Sequence, residues 1–147
     1  MHVRDIMTED PACCAPDASI RDAARLMVEN DCGEIPVTDE RGAPVGVVTD
    51  RDIACRAVAQ GKTLDTPVSE IMSSPADTVT PETSLEDCCA TLEENQLRRA
   101  PVVNESGGCC GIVAQADIAR NAPEHETAEV VRDVSQPSRE PAGAGCC

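Results

Sequence analysis

Four consecutive residues, Thr49-Asp50-Arg51-Asp52, carry the types and spacing best suited to chemistry in this 147-residue chain. An ionised carboxylate accepts from both hydroxyls of a vicinal diol such as a ribose, and a threonine hydroxyl beside it adds an adaptable partner. At a helix start, free backbone amides and the helix dipole also suit a phosphate. The same residues fit a plainer role, with Thr49 as N-cap and Asp52 as the acid of a capping box. The two roles are compatible. A second version, Ala114-Gln115-Ala116-Asp117, keeps the acid and loses the hydroxyl.

The two versions stand 65 residues apart, as do Met7 and Met72, Pro16 and Pro81, Pro36 and Pro101, and Gly46 and Gly111. The register needs no gap between Val3 and Cys55. One ungapped register over a domain-sized span marks an internal duplication.

The elements that must position these residues repeat with them. Val3 to Met7 forms an apolar-spaced turn, followed by a brief strand around Cys13 to Ala15. Ser19 with Asp22, and Ser84 with Asp87, supply an N-cap and an acid three residues later. Behind them Ile20, Ala23, Ala24 and Met27, then Leu85, Cys88, Cys89 and Leu92, make one apolar helix face each. Two apolar runs joined by a glycine-bearing turn follow, residues 35–38 and 45–48 in the first copy and 100–103 and 110–113 in the second, the pattern of a β-hairpin. A further helix starts after Thr49 or Ala114 and stops near Gly61 or before Pro123. Each copy is therefore strand, helix, strand, strand, helix.

Composition excludes several classes of function. The net charge is -15, with Lys62 the single lysine, so phosphate backbones are repelled and nucleic acid is no partner. No Phe, Tyr or Trp offers a stacking platform, so a bound base must rest between aliphatic side chains and backbone. No apolar run approaches a membrane span, and Met1 to Asp5 lack a signal-peptide core, which predicts a cytoplasmic chain with no membrane partner. Of the ten cysteines, Cys14, Cys32, Cys88, Cys89 and Cys110 fall opposite Val79, Leu97, Ala23, Ala24 and Val45 of the other copy, which fits buried small hydrophobes and no metal. Cys146 and Cys147 are expected to be exposed. His2 and His125 stand outside the motifs, so no acid-base or nucleophile constellation forms and the chain is expected not to be an enzyme.

The span from Val3 to about Pro123 resembles a tandem pair of CBS domains, the Bateman module. The resemblance is carried by Asp5-Ile6-Met7-Thr8 and Glu70-Ile71-Met72-Ser73, by the strands at Ile35-Pro36-Val37 and Ala100-Pro101-Val102, and by the runs from Gly46 to Ile53 and from Gly111 to Ile118. It implies an α+β fold of two CBS domains, 1–61 and 68–123, joined by a linker at 62–67, packed sheet to sheet with pseudo-two-fold symmetry and helices outside. Residues 124–147 are then an acidic flexible tail, with a short helix over 127–134 the one element it can hold.

The resemblance also implies regulation rather than catalysis. Adenosine-bearing ligands such as AMP, ATP or NAD, or in some members S-adenosylmethionine, would bind as regulatory ligands in clefts between the two domains and report to a separate, unidentified protein. No other cofactor is implied. One cleft would take Thr49, Arg51, Asp52, Ser73, Thr78, Leu97, Arg98, Arg99 and Pro101. The other would take Thr8, Cys13, Cys32, Gly33, Glu34, Pro36, Ala114, Ala116 and Asp117. On this assignment Arg51, Arg98 and Arg99 favour a highly charged nucleotide in the first cleft, whereas the second has Glu34 at its rim. A homodimer through the helix faces of Ile53, Ala54 and Val58 is expected. The competing reading is a ligand-free dimerisation or interaction scaffold in which Thr49 and Asp52 only cap a helix.

Overall fold

The computed structural model describes residues 1–136, apart from the side chain of Glu126, so Cys146 and Cys147 lie outside the described residues. In chain order the elements are β1 (Thr8–Glu9), α1 (Ile20–Glu29), β2 (Glu34–Thr38), β3 (Pro44–Thr49), α2 (Asp50–Asp52, continuing as a π-helical segment Ile53–Val58), α3 (Leu85–Glu94), β4 (Arg99–Val103), β5 (Cys109–Ala114), α4 (Gln115–Asn121) and α5 (Glu124–Val134). Single 3₁₀ turns occupy Val3–Asp5 and Val68–Glu70.

The compact units cut across the sequence repeats. One unit is Ala12–Ala76; the other joins Met1–Pro11 to the described residues from Asp77 onward. We call the latter unit 1 and the former unit 2. In each, the lead-in segment of one repeat completes the body of the other. Val3 donates its amide to Thr83 O at 2.9 Å and Arg4 to Pro81 O at 3.1 Å. The equivalent pairs in unit 2 are Val68 to Ala18 O at 2.8 Å and Ser69 to Pro16 O at 3.0 Å. Val3 and Ile6 enter the apolar cluster of unit 1, and Val68 and Ile71 that of unit 2. Sequence periodicity is blind to this exchange, because the two lead-ins are alike and either would fill either slot.

Local chemistry explains the repeated elements. Ser19 Oγ accepts the Asp22 amide at 3.1 Å and Ser84 Oγ accepts that of Asp87 at 3.1 Å, so α1 and α3 begin where the capping residues place them. Both helices end without glycine. Asp31 and Gln96 take positive φ angles of 48° and 53°, while Asn30 and Asn95 donate side-chain amides to the carbonyls of Leu26 and Thr91. The hairpins are antiparallel in matching register, Ile35 opposite Val48 and Ala100 opposite Val113. Asp39 and Asn104 tie their turns by accepting backbone amides two and four residues on. The strand expected near Cys13 reduces to one bridge, between Cys14 and Val37.

Each hairpin gains an edge from a lead-in. In unit 1, β1 pairs with β5, Thr8 opposite Ile112, giving a three-stranded sheet in the order β1-β5-β4. In unit 2, Val47 and Ser73 exchange both backbone hydrogen bonds, at 3.0 and 2.8 Å. Glycine is needed at the contact. A Cβ at Gly46 would stand 2.8 Å from Met72 Sδ and 2.8 Å from Ser73 O, and one at Gly111 2.7 Å from Met7 Sδ.

The chain beyond Pro123 corrects one expectation. Residues 124–134 are no flexible tail: α5 packs on α3 and α4 of unit 1, with Val130 1% exposed and Val134 buried. Two valines at i, i+4 are too little to order a free segment, but they suffice where a ready apolar groove removes them from water.

Candidate functional site

Asp52 sits in unit 2 on the first turn of α2, tied to the protein through both its amide and its carboxylate. Its amide donates to Thr49 Oγ1 at 3.0 Å and its Oδ2 accepts the Thr49 amide at 3.0 Å, a reciprocal capping box. Ser73 Oγ, from the lead-in, reaches the same oxygen at 3.5 Å. Oδ1 faces Arg56 Nε at 3.7 Å. Arg56 in turn donates from Nη1 to the carbonyls of Ile71 and Met72 at 3.3 and 3.4 Å. The carboxylate is nearly buried, its side chain 8% exposed, and a charge taken so far from water requires such partners.

Arg56 was not among the residues singled out by sequence. The signal was present, since Asp52 and Arg56 are i, i+4 on one helix, but the second repeat has Asn121 there and so gave no duplicate to notice. Arg56 belongs to the π-helical segment, where Ala59 donates to Ala54 O and Lys62 to Ala57 O, each five residues back.

The second version is looser. Asp117 Oδ2 accepts the Ala114 amide at 2.8 Å, but Ala114 has no hydroxyl to return the bond. Oδ1 lies 3.8 Å from Arg120 Nη1, a side chain 76% exposed, and the Asp117 side chain is 16% exposed. Thus Asp117 has fewer protein partners than Asp52 and more contact with solvent.

Of the first expected set, unit 2 holds Thr49, Arg51, Asp52 and Ser73, and it joins Thr49, Asp52 and Ser73 in one network. Thr78, Leu97, Arg98, Arg99 and Pro101 belong to unit 1. Of the second set, Thr8, Ala114, Ala116 and Asp117 belong to unit 1, and Cys13, Cys32, Gly33, Glu34 and Pro36 to unit 2. Within each unit the ladder sets the start of the hairpin beside the motif of its own repeat: Glu34 stands opposite Thr49, and Arg99 opposite Ala114. Glu34 is also no rim residue. It is buried, because it opens β2 directly against the end of β3. Gly33 is held close by the motif as well, for a Cβ there would meet Asp50 Oδ2 at 2.8 Å.

Cys13 opens onto a separate cavity of about 500 Å³ in unit 2, walled by Cys14, Pro16, Asp17, Thr38 and Asp39. Burial pushes the Cys14 thiol up to about 11, and burial, then the neighbouring Cys89, push Cys88 up to about 12. Cys13, Cys32, Cys89, Cys109 and Cys110 are also thiols. Among the described residues no group of three or more His, Cys, Asp or Glu is gathered to hold a metal. Likewise no described helix is long and apolar enough to cross a membrane.

Duplicated hairpin units with an acid-capped helix after each hairpin are matched by known proteins. The family model for the CBS domain fits residues 3–57 and 68–124. The chain belongs to the CBS-domain family. The CBS domain-containing protein YhcV of Bacillus subtilis is 43% identical over 126 residues, 86% of this chain and 89% of its own. The crystal structure of Hypoxic Response Protein I with two coordinated zinc ions is 32% identical, covers 84% of this chain and 100% of that one, and has a TM-score of 0.76. The CBS domain pair of protein MJ0100, solved with 5'-methylthioadenosine and S-adenosyl-L-methionine, is 29% identical, covers 82% of this chain and 98% of that one, and has a TM-score of 0.75. This chain is thus a tandem CBS pair, similar to pairs that bind adenosine derivatives.

Proposed function

We propose that the chain is a cytoplasmic regulatory module that binds adenosine-containing ligands and passes their occupancy to a partner protein, without catalysing a reaction. The observation that carries this reading is the carboxylate fixed at the start of a helix behind each hairpin, Asp52 and Asp117, in a chain similar to one solved with two adenosine derivatives. Each carboxylate would accept from the ribose hydroxyls of one ligand, while the free amides at the helix start favour a phosphate or other electron-rich group. AMP, ATP and NAD are the candidates, together with S-adenosylmethionine and methylthioadenosine. A sensor must also bind one conformation better than another, so the ligand would shift how the module meets its partners. We further propose that the module pairs with a second copy through its outer helices.

The complete capping box at Thr49 and Asp52 favours a second reading, a ligand-free interaction scaffold. Thermal denaturation against a panel of these five compounds separates the two. A ligand at a hundred times its dissociation constant stabilises the fold by about 2.7 kcal/mol. A transition that moves for at least one compound, and no longer moves in the double variant D52N/D117N, supports the sensor. A transition unmoved by every compound at millimolar concentration supports the scaffold.

A further inference from the structure

Unit 2 carries an open apolar groove of about 400 Å³ on its helical face, floored by Ile20, Ala24 and Ile53 and edged by Val28, Val58 and Leu64. Val28 is 83% exposed, and Val58 and Leu64 are more than half exposed. Three uncovered aliphatic side chains around one groove are a costly surface for a small protein to leave in water. Arg21, Arg25 and Glu29 stand around it, one sign of charge beside the other, so that two such faces can meet about a two-fold axis with Arg25 of each against Glu29 of its mate.

The repeat shows what happens at the equivalent place in unit 1. There Leu85, Cys89 and Ile118 take the positions of Ile20, Ala24 and Ile53. They are not open, because Val130 and Val134 of α5 are buried in the same cluster with them. The fit is imperfect at its edge. Glu93, the counterpart of Val28, faces Asp133 and Glu129 of α5, and burial and then those carboxylates hold its own carboxyl above the usual glutamate range. The first repeat has no such helix, since its chain runs on through Leu64 into the lead-in at Val68.

We propose that α5 is an intramolecular cap on a second self-association face: it fills in unit 1 the groove that unit 2 offers to another copy of the chain. Each chain then presents one such face where the duplication built two. Release of α5 uncovers the second and strengthens self-association. The inference rests on the pairing proposed above, and the acidic groups of α5 facing Glu93 oppose the cap at that edge.

Sedimentation velocity on full-length variants tests the two parts separately. Val28→Glu puts a charge into the open groove and tests pairing: the native chain should sediment as a dimer and V28E as a monomer. The double variant V130D/V134D tests the cap. It should keep its circular-dichroism signature for the hairpins and associate more tightly than the native chain, with a dissociation constant lower by roughly tenfold or more, or with species beyond the dimer. It should do so in the V28E background as well, where only the uncapped face is left. A folded V130D/V134D that associates no more strongly than the native chain overturns the cap, whatever V28E shows. If the double variant is unfolded, the single variant V134D, which loosens the last turn alone, takes the same measurement. Should that unfold too, α5 is an inseparable part of its unit and the proposal fails.

Discussion

Glu34 stands directly across the β2–β3 ladder from Thr49, the residue that caps α2. In the other hairpin the same pairing sets Arg99 against Ala114. Directly opposed residues of an antiparallel pair lie about 5 Å apart at Cβ, close enough for their charges to be felt. The two motifs therefore differ in sign as well as in hydroxyl count. Beside Thr49 and Asp52 stands a buried carboxylate, whereas Ala114 and Asp117 have Arg99 next to them and Arg120 on their own helix.

From this follows a prediction about phosphate. In calorimetric titrations with ATP, R98A/R99A should weaken the same binding event that D117A weakens, by about 1.5 to 3 kcal/mol, and leave the event sensitive to D52A in place. The affected event should also weaken with added salt. Loss of the D52A-sensitive event in R98A/R99A would instead return the arginines to Asp52, as composition and resemblance had placed them.

The two carboxylates should differ in structural weight. Asp52 satisfies the Thr49 amide, Ser73 and Arg56 while nearly buried, so D52A should lower unfolding free energy by about 1 to 3 kcal/mol. D117A removes half a capping box at a more open site and should cost about 1 kcal/mol or less. Urea denaturation of the two variants compares them, and equal midpoints would show that the extra partners of Asp52 contribute nothing.

Glycine at the lead-in contact makes a third prediction. G46A would press a Cβ to 2.8 Å from both Met72 Sδ and Ser73 O, and only the sulfur can move aside cheaply. A loss of about 1 to 3 kcal/mol is expected. Hydrogen exchange should show the Val47 and Ser73 amides opening first, because they form the bridge that must widen.

Alkali should unfold the protein through its buried thiols. In the unfolded chain a cysteine ionises near 9, whereas Cys14 and Cys88 are held up to about 11 and about 12 in the fold. The folded state thus keeps protons that the unfolded state releases, and stability falls as pH rises from about 9 toward those values. Each pH unit inside that window costs about 1.4 kcal/mol per thiol. C88A should flatten the decline, and a thiol reagent at neutral pH should leave Cys14 and Cys88 unlabelled until the chain unfolds.

Much of this was legible in the sequence because its causes are local. A serine with an acid three residues on starts α1 and α3, and alternating apolar runs about a glycine turn make both hairpins. Membership of the CBS-domain family was legible for the same reason, from short motifs present twice. What escaped was decided by partners distant in the chain. The destination of each lead-in cannot be read where both repeats carry the same apolar spacing, Val3 and Ile6 or Val68 and Ile71. Nor could Val130 and Val134 reveal that a groove awaited them, since two valines in an acidic stretch look the same with or without one. Arg56 was hidden by the comparison of repeats itself, which favours residues that recur.

The shifted division of the chain fixes an order of events at the ribosome. Ala12–Ala76 is one contiguous stretch with its own hairpin, helices and lead-in, so it can close as soon as it emerges. Met1–Pro11 emerges earlier still, yet the surfaces it docks on, at Pro81, Thr83 and the strand of Gly111 and Ile112, are made last. This lead-in is therefore made before the unit that follows it in the chain and docked after that unit. Until then Val3, Ile6 and Met7 stay uncovered beside a finished neighbour, within reach of any protease or chaperone that recognises apolar chain.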